Sequence, residues 1–297
     1  MRATGHPGAP GGRGSCRRGK AFVAATLDRL QLLRLRERDA TTVVAVNYHG
    51  TPASLSASLG EHFAFYREHF ESLDEQGLLD FLDGRRTLRR PGLIVSFDDG
   101  FADHGAVAAP LLDRYGLTGW FFVPGGFVDT PVEQQPEFCR RHIRSDYALE
   151  HSDASMYAMT WESVRGLAAR GHVIGGHTWS HVSLGPGTSN AVIDAEVLEA
   201  RRRLEERVER PVRVFCWVRG GVGDYCADAF RAVGKEHRLA FMGLSSVIRR
   251  ETNPLTLYRF SVEASWPLPV VRFQLSRFNE AWFRRRRAMV ERTLGLA

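Results

Sequence analysis

The chain has 297 residues, 43% of them hydrophobic and 25% charged, which indicates a soluble globular protein with one large hydrophobic core. Its formal net charge of +6 comes largely from arginine near both ends, at positions 13–18 and 284–287, so the charge describes tails and surfaces. The cysteines form no Cys-x-x-Cys pair, which excludes a zinc ribbon and argues against a disulfide scaffold; they are Cys16, Cys139, Cys216 and Cys226.

The first 40 residues divide into two segments. Residues 1–20 are rich in Gly, Pro and Arg, and no apolar run of signal-peptide or membrane-span length follows them. We therefore expect a disordered basic leader and a cytoplasmic protein. Residues 21–40 place leucines among arginines, a pattern that predicts an amphipathic N-terminal helix.

Residues 41–268 alternate between short apolar runs and longer polar stretches of helical character. The apolar runs predict strands at 43–49, 93–97, 120–123, 173–175, 212–217 and 239–244, and the polar stretches predict helices at 59–82, 103–115, 161–170 and 190–209. This alternation is typical of a parallel sheet covered by helices, either open or closed into a barrel. In both architectures the loops at the C-terminal ends of the strands carry the function.

Two further segments flank or interrupt this α/β domain. Residues 124–160 form a long insertion that is weakly periodic, and we expect it to select the substrate, although an ordered surface insertion fits the sequence equally well. Residues 269–297 predict a basic C-terminal helix, in which Leu275, Phe278 and Trp282 recur at helical spacing before the arginines. Contact with an anionic membrane or a nucleic acid fits that pattern, but we favour a helix packed on the domain with a solvated basic end, and we expect no nucleic-acid partner.

Two clusters of chemically active residues each follow a predicted strand. In the first, Ser96-Phe97-Asp98-Asp99-Gly100, adjacent carboxylates precede a glycine, and both can face one site only if the backbone bends there. In the second, His177 and His181 are four residues apart, which on a helical turn would put both imidazoles on one face. Either pattern alone is more often a turn or a packing feature, but finding both after strands of one fold favours a catalytic metal site with open coordination positions.

At these motifs the sequence resembles the polysaccharide deacetylase family, also called the NodB-homology family or carbohydrate esterase family 4. Ser96–Gly100 is similar to the first family motif, and His177-Thr178-Trp179-Ser180-His181 is similar to the second. The likeness extends over roughly residues 43–264. It implies a distorted (β/α) barrel of about seven units, in which Asp99, His177 and His181 bind the metal and Asp98 is the catalytic base.

The chain departs from the family pattern at two places. Where the third motif is expected to supply an Arg and a Pro-Tyr-Gly, the chain has Cys216, Val218 and Arg219, so only a backbone N–H at Arg219 is expected to bind substrate there. The late Leu-x-x-His motif is not evident between 255 and 263. We expect Arg259 to pair with Asp98 and His49 to serve as the acid, with an ordinary surface ion pair and a core histidine as the alternatives.

These features predict a hydrolase of carbon–nitrogen bonds other than peptide bonds, which removes an acyl group, by expectation acetyl, from an amino sugar or a sugar-containing metabolite or lipid-linked precursor. Asp98 would act as base on a metal-bound water, with zinc as the default ion and cobalt, nickel or iron as fitting alternatives. Trp179 would pack on a sugar ring or serve in structural packing. The alternatives are a non-catalytic carbohydrate-binding relative that keeps the metal site, and a deformylase or hydrolase of a non-sugar amide.

Overall fold

Parallel strand pairs form the centre of the molecule in the computed structural model, which describes residues 40–143, 156–276 and 283–296. The predicted leader and N-terminal helix at 1–39 lie outside the described residues. The strands are β1 (Val43–Tyr48), β2 (Glu71–Ser72), β3 (Gly92–Phe97), β4 (Gly119–Val123), β5 (Val173–Gly176), β6 (Val214–Cys216), β7 (Leu239–Phe241) and β8 (Phe260–Ser261).

The sheet has the strand order β7-β6-β5-β4-β3-β1-β8, and β2 adds to the edge of β3 at its N-terminal end. Every pairing between these strands is parallel. Between β7 and β8 the chain is irregular, but Met242 donates its N–H to Leu257 O at 2.7 Å and Arg259 donates to Leu244 O at 3.1 Å. These bonds link the two ends of the sheet, so the expected distorted (β/α) barrel is confirmed.

Helices follow most of the strands. They are α1 (Ser56–His69), α2 (Glu75–Leu82), α3 (Ala109–Tyr115), α4 (Gly125–Asp129), α5 (Gln135–Phe138), α6 (Trp161–Ala169), α7 (Asn190–Ile193), α8 (Ala200–Val208), α9 (Ala227–Glu236), α10 (Leu268–Gln274) and α11 (Arg284–Thr293). π-Helical segments at His104–Ala108 and Asp194–Glu199 directly precede α3 and α8, and a third, Cys139–Ile143, directly follows α5.

Some predicted element bounds were wrong. The single helix predicted at 59–82 is two helices, because buried Phe70 adopts an extended conformation, β2 joins the sheet, and the Asp74 side chain caps α2 by accepting the Gly77 N–H at 2.8 Å. The first part of the 124–160 insertion forms short helices instead of a loop, and residues 144–155 lie outside the described part. The sequence reading also missed α9.

The inner face of the sheet is apolar because alternate strand residues point to it. The strand positions concerned are 43 and 45 in β1, 94 in β3, 120 and 122 in β4, 173 in β5, 214 and 216 in β6, and 239 and 241 in β7. Leu78 and Phe81 of α2 pack into the same cluster and close its N-terminal end. The opposite faces of the strands pack against the surrounding helices in two further apolar clusters. With both faces filled, the C-terminal ends of the strands are where polar site residues can gather.

In the described part of the C-terminal region, α10 ends at Gln274 and α11 begins at Arg284, whereas one helix was predicted over 269–297. At the end of α10, Leu275 donates its N–H to the Val271 carbonyl, and Ser276 donates its N–H to the Phe273 carbonyl. In α11, Val290 is buried in the outer core, Glu291 accepts the Tyr258 hydroxyl, and Arg284 is solvent-exposed. This arrangement fits the favoured packed helix with a solvated basic end, while Phe278 and Trp282 lie outside the described residues.

Among the described residues, no helix combines the length and apolar character needed to cross a bilayer.

His237, at the end of α9, is a buried histidine whose protonation is unfavourable in the folded protein. Its side chain is 5% exposed, its ring packs 5.2 Å from that of Phe215, and its Nδ1 has no hydrogen-bond partner among the described residues. Burial, together with the charge of Arg201, lowers the pKa of His237 to about 3. The folded protein therefore holds this ring neutral.

We predict that His237 makes the protein acid-sensitive. Unfolding releases the ring to a pKa of about 6.5, so the unfolded state gains a proton below that pH while the folded state does not until about pH 3. The stability contributed by the neutral ring is complete above pH 6.5 and falls by about 1.4 kcal/mol per pH unit below it. Urea unfolding at pH 7 and pH 5 should show this extra loss in the parent protein and not in His237→Leu, and equal losses in both would contradict the assignment.

Candidate active site

Polar side chains take over the inner face of the sheet at its C-terminal end. The alternation that puts Val43 and Ala45 inside continues to Asn47, and in β3 it continues from Ile94 to Ser96 and then to Asp98, just past the strand. Asn47 Nδ2 lies 3.5 Å from Asp98 Oδ2. The sequence reading did not select Asn47 or Ser96 as site residues, although counting alternate positions from the buried strand core would have found both.

Arg259 lies at the centre of this polar layer with all five of its N–H donors used. Nη1 donates to Asp98 Oδ1 at 2.6 Å and Nη2 donates to Asp98 Oδ2 at 2.8 Å, which makes the pair bidentate. The remaining donors reach Ser96 Oγ at 3.1 Å, Cys216 Sγ at 2.9 Å and Met242 O at 3.4 Å. Arg259 is 2% exposed, so the surface ion pair considered as an alternative is excluded.

The ion pair fixes both the orientation and the charge of Asp98. Burial alone would raise the pKa of Asp98, but the Arg259 guanidinium outweighs it and holds the pKa below its usual value. Cys216, which stands where the resemblance implies an arginine, contacts both members of the pair: its Sγ lies 2.9 Å from Arg259 Nη2 and 3.8 Å from Asp98 Oδ1. The charge missing from the altered third motif is therefore supplied from the residue before β8.

Asp99 departs from the strand geometry of its neighbour. Its φ of 76° lies in the left-handed region, and Gly100 follows with a φ of 69°. The backbone therefore bends at Asp99, as is required for two adjacent carboxylates to face one site. Strained backbone of this kind recurs at functional sites. Asp99 consequently faces the loop after β5, away from the Asp98–Arg259 pair.

Asp99, His177 and His181 converge into one buried cluster. Asp99 Oδ1 lies 3.4 Å from His177 Nε2 and 3.0 Å from His181 Nε2, and one ligand atom from each residue lies within 4.8 Å of the others. Burial alone would raise the pKa of Asp99, yet the charge and hydrogen bonds of the two histidines lower it well below the ordinary value. The cluster thus holds an ionised carboxylate and two imidazole nitrogens.

Backbone carbonyls orient both imidazoles from behind. His177 Nδ1 donates to Cys216 O and His181 Nδ1 donates to His142 O, each at 2.8 Å. Since Nδ1 donates to a carbonyl in each ring, Nε2 is the nitrogen that faces Asp99: it donates to the carboxylate where it carries a proton, and it would bind a metal ion in place of that proton, as in metal-binding histidines. The sequence did not predict these partners, because a backbone acceptor leaves no trace in residue identity.

Asp98, His177 and Cys216 form a second group of possible ligands, also within 4.8 Å of one another. The Arg259 guanidinium contacts both Asp98 and Cys216, so a cation there would face a fixed positive charge. Burial also raises the pKa of the Cys216 thiol well above its ordinary value, so it stays protonated. The donor chemistry therefore fits a divalent metal at Asp99, His177 and His181, three protein ligands of the kind that leave coordination positions open.

The segment from His177 to His181 is a loop, so the predicted helical turn was wrong. Thr178 and His181 have φ values of 54° and 55°, outside the right-handed helical region. The two imidazole rings still approach to 5.0 Å between centroids. Backbone turns, not helical periodicity, bring these ligands together.

His49 follows β1, and it is partly buried. It lies near both aspartates, because it contributes to lowering the pKa of Asp98 and of Asp99. The segment after Gly100 fixes its backbone: buried His104 donates to the His49 carbonyl, and Asp103 accepts the Thr51 N–H at 3.0 Å. These two supports were also missed. His49 therefore lies on the rim of the site, at the end of the first strand.

Arg219 and Trp179 have different environments. Arg219 is exposed three residues after Cys216, with a φ of 61°, so the loop after β6 turns at the residue expected to offer a backbone N–H. The Trp179 ring is covered by the Arg203 guanidinium, 3.5 Å from the ring centroid, and a side chain at Gly125 would collide with it. These contacts favour the structural alternative for Trp179 over a sugar platform.

The chain is similar in sequence to proteins of a known family. The family model described as polysaccharide deacetylase matches residues 85–237, just over half of the chain. The poly-β-1,6-N-acetyl-D-glucosamine N-deacetylase of Escherichia coli K12 is 24% identical over 148 residues, and its counterpart in E. coli O157:H7 is 23% identical over 185 residues. These matches cover 49% and 58% of this chain, but only 20% and 26% of the relatives, so the chain spans about a quarter of their length or less.

Solved structures show the same fold at low identity. The Streptococcus pyogenes deacetylase PplD, in complex with acetate, superposes with a TM-score of 0.62 at 14% identity, covering 79% of this chain and 98% of that one. IcaB from Ammonifex degensii gives a TM-score of 0.62 at 19% identity and covers 80% and 97%. Together with the family-model match, the barrel and the two strand-end motifs show that this chain belongs to the polysaccharide deacetylase family.

Proposed function

We propose that this protein is a metal-dependent N-deacetylase of acetylated amino sugars. The observation that carries the proposal is the division between two adjacent carboxylates. Asp98 is paired with Arg259, while Asp99 faces His177 Nε2 and His181 Nε2 at 3.4 and 3.0 Å. A carboxylate suited to act as a base thus lies beside a cluster suited to hold a metal ion, in one buried site.

Asp99, His177 and His181 would hold the metal. When bound, a divalent ion would polarise the amide carbonyl and make a water molecule more acidic. Zinc suits two imidazoles and a carboxylate, and cobalt, nickel or iron fits the same ligands. The Nδ1 hydrogen bonds to Cys216 O and His142 O keep both Nε2 atoms available as ligands.

Asp98 would accept the proton from the attacking water. The lowered pKa keeps its carboxylate ionised at neutral pH, and Arg259 holds the plane of the carboxylate in one orientation. Each carboxylate oxygen has two lone pairs, and the bidentate pair with Arg259 uses one on each, so acceptor capacity remains. A base must reach its proton in the right geometry, and this pairing supplies that geometry.

Two rim groups would complete the reaction. His49 would donate a proton to the departing amine, because it follows β1 at the rim of the site, near both aspartates. The Arg219 backbone N–H would stabilise the oxyanion that develops on the carbonyl. Arg259 directs two of its five donors at Asp98 and uses the other three to hold its own place, so this buried arrangement around the proposed base favours the enzyme over a non-catalytic relative.

The substrate class is proposed from the relatives and from one exposed ring. The E. coli relatives are named for N-deacetylation of a β-1,6-linked N-acetylglucosamine polymer. In the insertion, Tyr157 is 47% exposed, and its carbonyl accepts the N–H of Ala102, three residues past Asp99. An exposed aromatic face beside the site suits the apolar face of a pyranose ring, so Tyr157 would contact the sugar in place of Trp179.

The first prediction separates the two possible ligand groups. Asp99→Asn should weaken zinc binding strongly, whereas Cys216→Ser should leave it close to the parent value, because the thiol belongs only to the group that Arg259 occupies. Calorimetric titration of the metal-free proteins with zinc, with circular dichroism to check the fold, measures both. Strong loss in Cys216→Ser with retention in Asp99→Asn would put the metal in the other group and refute the assignment.

The second prediction concerns turnover. The zinc-loaded protein should release acetate from short β-1,6-linked N-acetylglucosamine oligomers. Asp98→Asn and His49→Gln should each lower kcat by roughly 100-fold or more, since general acid–base groups contribute about 100- to 10,000-fold. Acetate release and zinc content are measured on the same samples. A zinc-loaded parent that releases no acetyl or formyl group from a broad amide panel would favour the binding protein, and full activity in either variant would remove that residue from the mechanism.

The third prediction tests the sugar contact. Tyr157→Ala should raise KM for an oligomer several-fold with little change in kcat, because the ring binds sugar without touching the reacting bond, and Tyr157→Phe should keep the parent KM. Val132→Ala provides the control, since Val132 is a 64%-exposed apolar residue of the same insertion. Equal KM values for Tyr157→Ala and the parent would exclude Tyr157 as a contact for the sugar.

A further inference from the structure

The loop that carries both histidine ligands has a costly backbone conformation. Thr178 and His181 both have φ values in the left-handed region, at 54° and 55°. Residues other than glycine pay of order 1 kcal/mol or more for that region, so such a conformation persists only when surrounding groups fix it. The Thr178 hydroxyl supplies one internal restraint by accepting the Val182 N–H at 3.0 Å.

Glu196 supplies a restraint from outside the loop. Its Oε2 accepts the backbone N–H of Trp179 at 2.7 Å and that of Ser180 at 2.9 Å, the two residues immediately before His181. Hydrogen bonds to an ionised carboxylate are roughly twice as strong as neutral ones. Glu196 lies in the π-helical segment Asp194–Glu199. The residue that reaches the loop therefore lies where the helix is locally wider than an α-helix.

The rest of Trp179 is held by neighbouring elements. Its carbonyl accepts the Gly126 N–H at 2.8 Å, and its ring lies beneath Arg203 of α8. With Glu196 on its N–H, both backbone groups and the ring of Trp179 are fixed. The loop between the two ligands is therefore anchored to α4 on one side and to the 194–208 helical run on the other.

We infer that Glu196 is a positioning residue of the metal site. By fixing the two consecutive amides before His181, it sets the backbone turn that brings His181 Nε2 to 3.0 Å from Asp99 and within reach of His177. Glu196 is not one of the clustered ligand groups, so it acts through the loop. The inference rests on the proposed metal site, and it assigns a role to a side chain that is distant in sequence from both motifs.

Zinc affinity of the intact protein tests this role without requiring a substrate. Glu196→Ala should bind zinc about 10- to 100-fold more weakly than the parent, the usual effect of removing an outer partner of metal ligands. Glu196→Gln should recover part of that loss, because its amide oxygen accepts the same N–H groups without the charge. Glu199→Ala is the matched control, since Glu199 is an exposed acid of the same helical segment. Competition with a chromophoric chelator gives the zinc Kd, and thermal unfolding of the metal-free proteins reports any general loss of fold.

The outcomes separate the inference from the proposed activity. Parent-like zinc affinity in Glu196→Ala overturns the inference, and so does an equal loss in Glu199→Ala or a Glu196→Gln variant no better than alanine. A parent protein that binds zinc but releases no acetate refutes the deacetylase while the role of Glu196 is still measured. A parent that binds no zinc overturns both.

Discussion

The bidentate pair between Arg259 and Asp98 determines how the rest of the site is organised. An ion pair buried this deeply stabilises a protein only when its hydrogen-bonding capacity is used, and here the guanidinium has a partner for every N–H. Removing one member of such a pair typically costs about 3–5 kcal/mol, because the other charge is left buried alone. The pair is therefore a constraint on the barrel as well as on the chemistry.

Because Arg259 neutralises Asp98, the two adjacent aspartates acquire different roles. A cation beside Asp98 would meet the guanidinium, whereas Asp99 has turned to a pair of imidazoles that could bind a metal ion together with it. The left-handed backbone at Asp99 makes this separation possible, since two consecutive residues of a regular strand would point to opposite faces. The same parallel barrel brings the residue before β8 next to the end of β3, although they are 161 positions apart in the chain.

The sequence was informative where function depends on residue identity and regular spacing. Asp98, Asp99, His177 and His181 could be selected because each motif follows a buried strand, and the pairing of Arg259 with Asp98 could be expected from its position near the last strand. The period of two along β1 and β3 would also have identified Asn47 and Ser96 as inward-facing. In contrast, the division of residues 59–82 depended on the Asp74 cap and on the pairing of β2, which are tertiary and local polar effects that helical periodicity does not report.

What the sequence could not supply was the set of groups that hold the loops. The carbonyls of Cys216 and His142 orient the imidazoles, but any residue offers a carbonyl. Glu196 is one of many acids in a charged helical run, and only the fold shows that it reaches the loop between the histidines. The spacing of His177 and His181 imitates a helical turn, while the actual geometry depends on left-handed residues and these outside contacts.

The division between the two aspartates can be tested most directly by a crystal structure of the zinc-loaded protein with anomalous diffraction data collected at the zinc edge. The account predicts one strong anomalous peak bounded by Asp99 and the Nε2 atoms of His177 and His181, with the Arg259–Asp98 pair intact beside it. A peak bound by Asp98 and Cys216, with Arg259 displaced, would contradict it.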